Sequence, residues 1–446
     1  MGLLSFRHGV HPPDSKHLTE KVPIRRMPYP DEIVLPLRQH TGKPAIPLVR
    51  KGDRVERGDK IAEADGWVSS PVHASATGTV QGVDLWPHPD GSMSPAIRIE
   101  VERWSAQLPR PRLVPEWRGL APEQVVEAVR QAGLVGLGGA AFPTHVKLKP
   151  PPEFPIEFLL VNGAECEPYL TTDHRTMVEY PERVWFGVRI MMQTLGVKEA
   201  VIGVEMNKPD AVERLRESQP PDLPVRVQPL RVKYPQGAEK MLIEAVTGRQ
   251  VPSGKLPMHV GAVVQNVGSI ATIAEIFETG MPLVERIVTV TGPGITKPSN
   301  LIVPVGSKLR DVLAFCGGLK DDVAEIVFGG PMMGSAQPDL DTPLLKGTTG
   351  VVALTQAEIR PKPVYPCISC GRCLDACPVF LNPSRLGKLG QAGRYEEMEA
   401  YHLMDCMLCG SCSYVCPSNI PLSQMFALGK TMLRRHKKAE QGAKAA

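Results

Sequence analysis

The chain's chemistry is densest between Cys367 and Cys416, where eight of its ten cysteines lie. The runs "YPCISCGRCLDACPVF" and "DCMLCGSCSYVCPSN" each carry four thiols in one pattern, C-x2-C-x2-C-x3-C-P. Two chemistries compete for thiols set out this way. A zinc ribbon uses four ligands, as C-x2-C pairs a dozen or more residues apart. Here a third and a fourth cysteine follow at once, and Pro378 and Pro417 come directly after the fourth. The tight loop lets three sulfurs converge on one cube, and the proline turns the chain away from it. The spacing therefore points to two [4Fe–4S] clusters, in which three thiolates of a run bind one cluster and the fourth binds the other. That crossing assigns Cys367, Cys370, Cys373 and Cys416 to one cluster, and Cys406, Cys409, Cys412 and Cys377 to the second. Clusters held this way carry single electrons.

The runs match those of bacterial ferredoxins. The stretch between them, "LNPSRLGKLGQAGRYEEMEAYHLM", has apolar residues near helical spacing and no strand alternation. The half-sites are expected at helix ends, as in the α-helical ferredoxin domains of multi-subunit dehydrogenases.

Single-electron centres need a donor, and "VRQAGLVGLGGAAFPTHVKLKPPP" is the next candidate. A helical pattern ends at Gly133, and a loop with Gly136, Gly138 and Gly139 follows. Positions without side chains let backbone N–H groups approach a phosphate closely. A G-x-G-G turn is weak evidence alone, and no G-x-G-x-x-G opens a helix after a strand. The following "EFLLVNGAECEPYLTTDHR" reads as a buried strand, Phe158 to Val161, ending in a polar loop with Asn162, Glu165 and Glu167. In open α/β sheets ligands sit beyond the carboxyl ends of strands.

"GLGGAAFPTHVK" and "VNGAECEP" resemble the flavin loop and acidic loop of the NADH-binding, FMN-bearing subunit of respiratory complex I. "YPQGAEKMLIEAVTG" and "QNVGS" resemble two further blocks of that family, in the same order. Three positions depart from its pattern: Ala141 and His145 replace glycines, and Ala238 replaces a glutamate. With an N-terminal extension and two paired cysteine runs added, nearly the whole chain resembles the RnfC family, from the Rnf (Rsx) ion-translocating electron transport complex. The resemblance implies that Gly136, Gly138, Gly139, Phe142 and Lys147 surround FMN and its phosphate, with Asn162, Asn266 and Ser269 helping to hold it. It implies Glu167 beside flavin and nicotinamide as the catalytic carboxylate, and more weakly Glu165 and Glu239.

The elements that must position these groups divide into four expected regions. Residues 1–112 hold an N-terminal region; its "IPLVRKGDRVERGDKIAEADGWVSSPVHASATGTVQGV" resembles a lipoyl/biotinyl-type barrel-sandwich, with Gly52, Gly58, Gly66 and Gly78 punctuating short strands. The tip where such carriers place a modifiable lysine reads "EADGWVSS" and has none, so a structural or docking role is expected. Residues 113–283 form a Rossmann-like α/β domain for FMN and NADH. Residues 284–359 resemble the β-grasp (SLBB) module of complex I. A Pro-rich linker, Arg360 to Pro366, opens the ferredoxin domain of residues 360–446. The fold class is multidomain α/β plus β with an α-helical end. Cys166 and Cys316 read as packed thiols.

Composition limits what else the chain does. Hydrophobic residues make up 42% and charged residues 22%, ordinary for a globular protein. A formal net charge of +4 is too small to argue for nucleic acid. No apolar run approaches the roughly 18 residues of a membrane span, and the start "MGLLSFRHGVHPPDSK" lacks signal-peptide and myristoylation features. A reducing cytosol is therefore expected, where disulfides do not persist. The basic "KTMLRRHKK", Lys430 to Lys438, reads as a solvated frayed tail or a patch for anionic lipid or an acidic partner.

The reading is a peripheral electron-input subunit on the cytoplasmic face of a bacterial inner membrane. NADH gives a hydride to FMN, and single electrons pass to the two clusters. The resemblance implies membrane subunits as partners and, indirectly, ferredoxin or flavodoxin. Two alternatives stay open: a docking scaffold that has lost its flavin, and the flavin subunit of a soluble hydrogenase or formate dehydrogenase. Anaerobically purified protein should contain about eight iron and eight labile sulfides per chain, counted by colorimetric assay. Stoichiometric zinc without sulfide would sink the cluster assignment.

Overall fold

The computed structural model describes residues 3–108, 116–359 and 363–445. Residues 360–362 of the expected linker, and the expected boundary at residue 112, lie outside the described residues.

Near the N-terminus, β1 (Ile24–Arg26) stands apart from the strands that follow it. Next come β2 (Glu32–Pro36), β3 (Ile46–Pro47), β4 (Arg54–Val55), β5 (Lys60–Glu63), β6 (Val72–His73), β7 (Gly78–Pro87) and β8 (Met93–Val101). They make two antiparallel sheets, ordered β2-β8-β7-β4 and β3-β5-β6. Ile33, Leu35, Ile61, Val72, Ile97 and Ile99 fill the space between them, all fully buried. Gly52, Gly58 and Gly66 take the left-handed conformation that these hairpins require. Gly78 has another cause: a Cβ there would lie 2.1 Å from the Glu100 carbonyl oxygen.

The next region alternates helices and parallel strands: α1 (Pro122–Gln131), α2 (Thr144–Lys147), β9 (Phe158–Gly163), α3 (Thr172–Glu179), α4 (Pro181–Leu195), β10 (Glu199–Glu205), α5 (Pro209–Glu217), β11 (Val225–Leu230), α6 (Glu239–Thr247), β12 (Ala262–Asn266) and α7 (Val267–Thr279). The strands order as β11-β10-β9-β12. From β9 the chain moves outward to β10 and β11, then returns to add β12 on the other side of β9. Near-continuous apolar strands such as "FLLV" fit a parallel sheet covered by helices on both faces. One face is closed by α4 and α7, whose backbones approach each other at Gly187 and Ile270.

A six-stranded mixed sheet follows, ordered β1-β14-β13-β17-β15-β16. Its strands are β13 (Glu285–Thr291), β14 (Ser299–Pro304), β15 (Val323–Phe328), β16 (Ser335–Ala336) and β17 (Gly350–Thr355), with α8 (Leu309–Phe315) packed on it. Its outer strand is β1, which pairs Ile24 with Asn300. The buried Asn300 amide donates to the carbonyls of Thr19 and Val22, both at 2.9 Å, and its oxygen accepts from the hydroxyls of Thr171 and Thr289. The first residues described are thus tied to the α/β and β-grasp regions rather than to the barrel-sandwich.

The cysteine region is helical: α9 (Arg372–Ala376), α10 (Pro383–Gln391), α11 (Glu397–Ala400), α12 (Ser411–Tyr414) and α13 (Leu422–Ala445). The frayed tail expected at Lys430–Lys438 is instead part of α13. Leu433 packs into the core beneath it, and the Lys430 ammonium donates to the carbonyls of Met404 (3.1 Å) and Cys406. Apolar residues at helical spacing outweigh the basic composition. Among the described residues no helix is long and apolar enough to cross a membrane.

A Cβ built on Gly187 falls 2.0 Å from the Ile270 carbonyl oxygen. Gly187→Ala should force α4 from α7 and cost about 1–3 kcal/mol. A lowered melting temperature with unchanged iron content would register it.

Candidate functional site

The crossover between β9 and β12 is where a crevice should open. Asn162 and Asn266 are register partners at the carboxyl ends of these neighbouring strands. The Asn266 carboxamide oxygen caps α7, accepting from the N–H groups of Gly268 (2.9 Å) and Ser269 (3.3 Å), while its amide donates to Asp173 at 2.6 Å. The Asn162 amide donates to the Gly237 carbonyl at 2.7 Å. Both residues follow from strand ends in the sequence and stand together in space.

The glycine loop lies over this crevice. Its neck closes by the Gly136 N–H donating to the Phe142 carbonyl at 2.8 Å. The Leu137 N–H donates to the Ser269 hydroxyl at 2.9 Å, fixing the loop to α7. A Cβ on Gly138 would meet Asn266 at 3.3 Å, so the loop rests directly on the strand end. Gly139 has φ +104° and nothing within 4 Å of its missing side chain, which leaves an open backbone face. Ala141 takes φ +49°, a left-handed conformation costly for a residue with a Cβ.

Lys147 ends α2 below the loop. Its ammonium donates to Glu239 Oε1 at 2.5 Å and to the Val264 carbonyl at 3.2 Å. Glu239 is the first residue of α6, half-buried against Lys147 rather than on an outward face. The cation at the loop's end is therefore already balanced by a carboxylate that an incoming phosphate would have to share or displace.

Glu165 and Glu167 diverge. Glu165 turns inward and caps α3, accepting from the N–H groups of Asp173 (2.7 Å) and His174 (3.2 Å). It holds α3, with Asp173 placed beside Asn266. Glu167 points the other way: its Oε2 accepts from the Met332 N–H at 3.1 Å, and its buried Oε1 has no protein partner. Burial pushes Glu167 up to about 7. A Cβ on Gly330 would lie 2.2 Å from Glu167, so the "FGGPMMG" loop must be glycine there.

Four charged residues with no motif complete this centre. Lys16 is buried and donates to the carbonyls of Glu167 (2.8 Å) and Leu170 (2.5 Å). Lys208, also buried, donates to the Ala164 carbonyl at 2.6 Å and lies 3.7 Å from Glu205. Asp173 is pushed up to about 7 by burial and then by Glu165, while burial draws the neighbouring Arg286 down to about 10. A cation buried without a basic patch around it leaves no sequence signal. Cys166 accepts from the Gly237 N–H at 3.3 Å, and burial raises its thiol far above the usual range. Cys316 is fully buried in the β-grasp core.

The eight cysteines fall into two groups in space. Cys367, Cys370, Cys373 and Cys416 line one cavity with Ser384 and Lys388. Burial pushes Cys373 up, and the nearby Cys370, Cys416 and Cys367 add to it. Burial likewise raises Cys412, and there the neighbours are Cys406, Cys409 and Cys377. Among the described residues, no three His, Cys, Asp or Glu side chains close on a single-ion position.

The second group faces the α/β region. The buried Tyr234 hydroxyl donates to the Cys409 carbonyl at 2.7 Å, and Tyr234 also packs with Val10, Ala376 and Met332. A Cβ on Gly410 would lie 2.9 Å from the Met332 carbonyl oxygen. The first group is at the outside, with Cys367 and Cys370 exposed.

A glycine cradle on an α/β crevice, joined to two four-thiol centres, defines a flavin- and iron–sulfur-bearing redox protein. Four families match in order: the RnfC barrel sandwich hybrid domain (residues 4–103), the Nuo51 FMN-binding domain (129–275), the SLBB domain (287–336) and the 4Fe-4S dicluster domain (363–420). The RnfC protein of the proton-translocating ferredoxin:NAD(+) oxidoreductase complex of Clostridium ljungdahlii is 46% identical over 407 residues, covering 90% of this chain and 88% of that protein. Its counterpart in the Na(+)-translocating complex of Acetobacterium woodii is 41% identical over 401 residues, covering 90% of each. The corresponding protein of the ion-translocating oxidoreductase complex of Rhodobacter capsulatus is 42% identical over 435 residues, covering 96% and 83%. The chain belongs to this RnfC family of ion-translocating oxidoreductases, and so is one subunit of a larger complex. A NAD+-reducing [NiFe]-hydrogenase chain overlays only loosely, at TM-score 0.49 with 24% identity, covering 64% of this chain and 55% of that one.

The spatial grouping makes the crossing testable. Cys416→Ala should halve the iron and abolish the cluster built on Cys367, Cys370 and Cys373, leaving its neighbour's EPR signal intact. Loss of the Cys406 cluster instead would show that each run folds around its own cube.

Proposed function

We propose that this chain is the electron-input subunit of its complex, passing electrons between NAD(H), FMN and two [4Fe–4S] clusters. The observation that carries it is the Tyr234–Cys409 hydrogen bond. It fastens the strand-end loop beside the flavin crevice to a ligand loop of the inner cluster, so the two redox sites share one rigid junction.

The crevice fits FMN on its own features. The Gly139 backbone is open where a phosphate could approach N–H groups, and Lys147 supplies a cation at the same loop. Bound there, FMN would convert between the hydride of a nicotinamide and the single electrons of the clusters. Gly136, Gly138 and Gly139 keep the loop low over Asn266, and Ser269 pins it. Phe142 holds the loop's neck through its carbonyl. Asn162 and Asn266 line the strand ends, and Glu239 sets the charge beside Lys147. Glu167, with one buried oxygen free of protein donors, can take up or release a proton near neutrality. Its side chain faces Met332, whose carbonyl lies against Gly410, next to Cys409.

The complex would be reached from the cytoplasmic face of the inner membrane, with this subunit peripheral and ion movement left to its partners. Ferredoxin or flavodoxin would exchange electrons with the assembly rather than bind this chain's crevice.

Lys147→Glu tests the flavin step. It reverses a charge beside the phosphate in a partly buried site, a penalty on the order of a few kcal/mol. The variant should keep its iron, lose FMN and lose NADH-driven bleaching, while dithionite still reduces the clusters. Wild-type protein without FMN, or a variant reduced by NADH as fast as wild type, would favour a docking scaffold.

A further inference from the structure

The barrel-sandwich region has no assigned part in electron transfer, and its carrier-type tip lacks the lysine such domains modify. Yet it meets the glycine loop at the positions where that loop is least able to hold itself. The Thr41 hydroxyl donates to the Ala140 carbonyl at 3.0 Å, and the Thr41 N–H donates to the Ala141 carbonyl at 3.1 Å. Ala141 is the residue forced to φ +49°. The adjacent Gly347 packs so closely that a Cβ there would lie 2.8 Å from the Ala141 methyl. The bend is therefore supported from outside its own domain.

The far end of the loop is held by the tip itself. His145 Nε2 bonds the Trp67 carbonyl at 2.8 Å, and the two rings meet edge to face at 4.9 Å. Burial lowers the His145 pKa, and its Nε2–H donates to the Trp67 carbonyl. Arg130 and Lys149 lie over the Trp67 ring at 5.8 and 5.5 Å, one from each side of the loop in sequence. At the loop's entry, the buried Lys346 ammonium joins the Pro71 and Gly133 carbonyls, both at 2.7 Å. These contacts reach the entry, the bend and the exit of one loop.

We propose that Thr41 and Trp67, on the barrel-sandwich, are positioning residues of the flavin site: they hold residues 136–147 in the shape that accepts the FMN phosphate. The inference rests on the flavin reading of that loop. The tip that other members of this fold use to carry a group serves here as a brace. Unbraced, the loop would relax at Ala141, and FMN would have to restore its shape on binding, which weakens affinity by the fraction of competent loop.

The test uses the full-length, anaerobically purified protein, stripped of flavin and titrated with FMN by fluorescence quenching. Thr41→Val removes one donor at an exposed position, and Trp67→Leu removes the ring. Each should raise the FMN Kd about threefold to tenfold, the range for one lost hydrogen bond or aromatic contact. The double variant should exceed either alone. Thr41→Ser should restore wild-type affinity, and the dithionite-reduced cluster spectrum should be unchanged throughout. The flavin midpoint potential should shift in the double variant, which loss of domain stability alone does not produce. Variants that bind FMN with the wild-type Kd overturn the proposal, whether or not their melting temperature falls. Wild-type protein that takes up no FMN overturns the flavin reading first, and this inference with it.

Discussion

Parallel strands end together, and where the chain reverses its direction across the sheet the two following loops part and leave a crevice. Between β9 and β12 that geometry sets Asn162 against Asn266. The rest of the site is arranged around this pair. The glycine loop lies on Asn266, α7 begins from it, and Asp173 is drawn to its amide. Because Asn266 both caps a helix and supports the loop, the helix N-terminus and the loop backbone face the same space. The Gly268 and Ser269 N–H groups of that helix are taken by the Asn266 oxygen, so an anion there would turn to the loop backbone.

The acidic loop after β9 creates a second demand. Carboxylates taken out of water need nearby cations or donors, or they protonate. Glu165 meets this with helix N–H groups, while Glu205, near Lys208, is still raised by burial. Glu167 is only half satisfied, and its raised pKa follows. The two loop carboxylates differ because their partners differ, although they stand two residues apart.

Much of this is legible in the residues. Cysteine spacing points to the sets of ligands, because a tight loop allows few ways for three sulfurs to converge. Strand ends and glycines locate the crevice, since both are local signals. The pairing of Lys147 with Glu239 is not legible, although each stands in a recognisable motif, because they are 92 residues apart and nothing in either motif marks the other. Lys16, Lys208 and Asp173 escape for the same reason: a buried charge looks like a surface charge until its neighbours are known. The basic stretch in α13 misleads because its composition favours fraying, while Leu433 and Phe426 at helical spacing decide the matter by burial. Thr41 and Trp67 sit in a region whose pattern speaks only of its own fold.

The strand β1 and the segment before it have a consequence for how the protein is made. Val10 bridges to Tyr234, Ile24 pairs with Asn300, and the His8 imidazole reaches the Leu374 carbonyl 366 residues further on. A ribosome adding about 5–20 residues per second would take roughly 20 to 70 seconds to supply that last partner. Until Tyr234 and Asn300 are made, the segment that holds Val10 and Ile24 has no strand to join, while the barrel-sandwich behind it can already close on its own core. Final docking of the N-terminal segment must therefore follow synthesis of both α/β and cysteine regions. It works as a latch across them, thrown only once the parts it joins are in place.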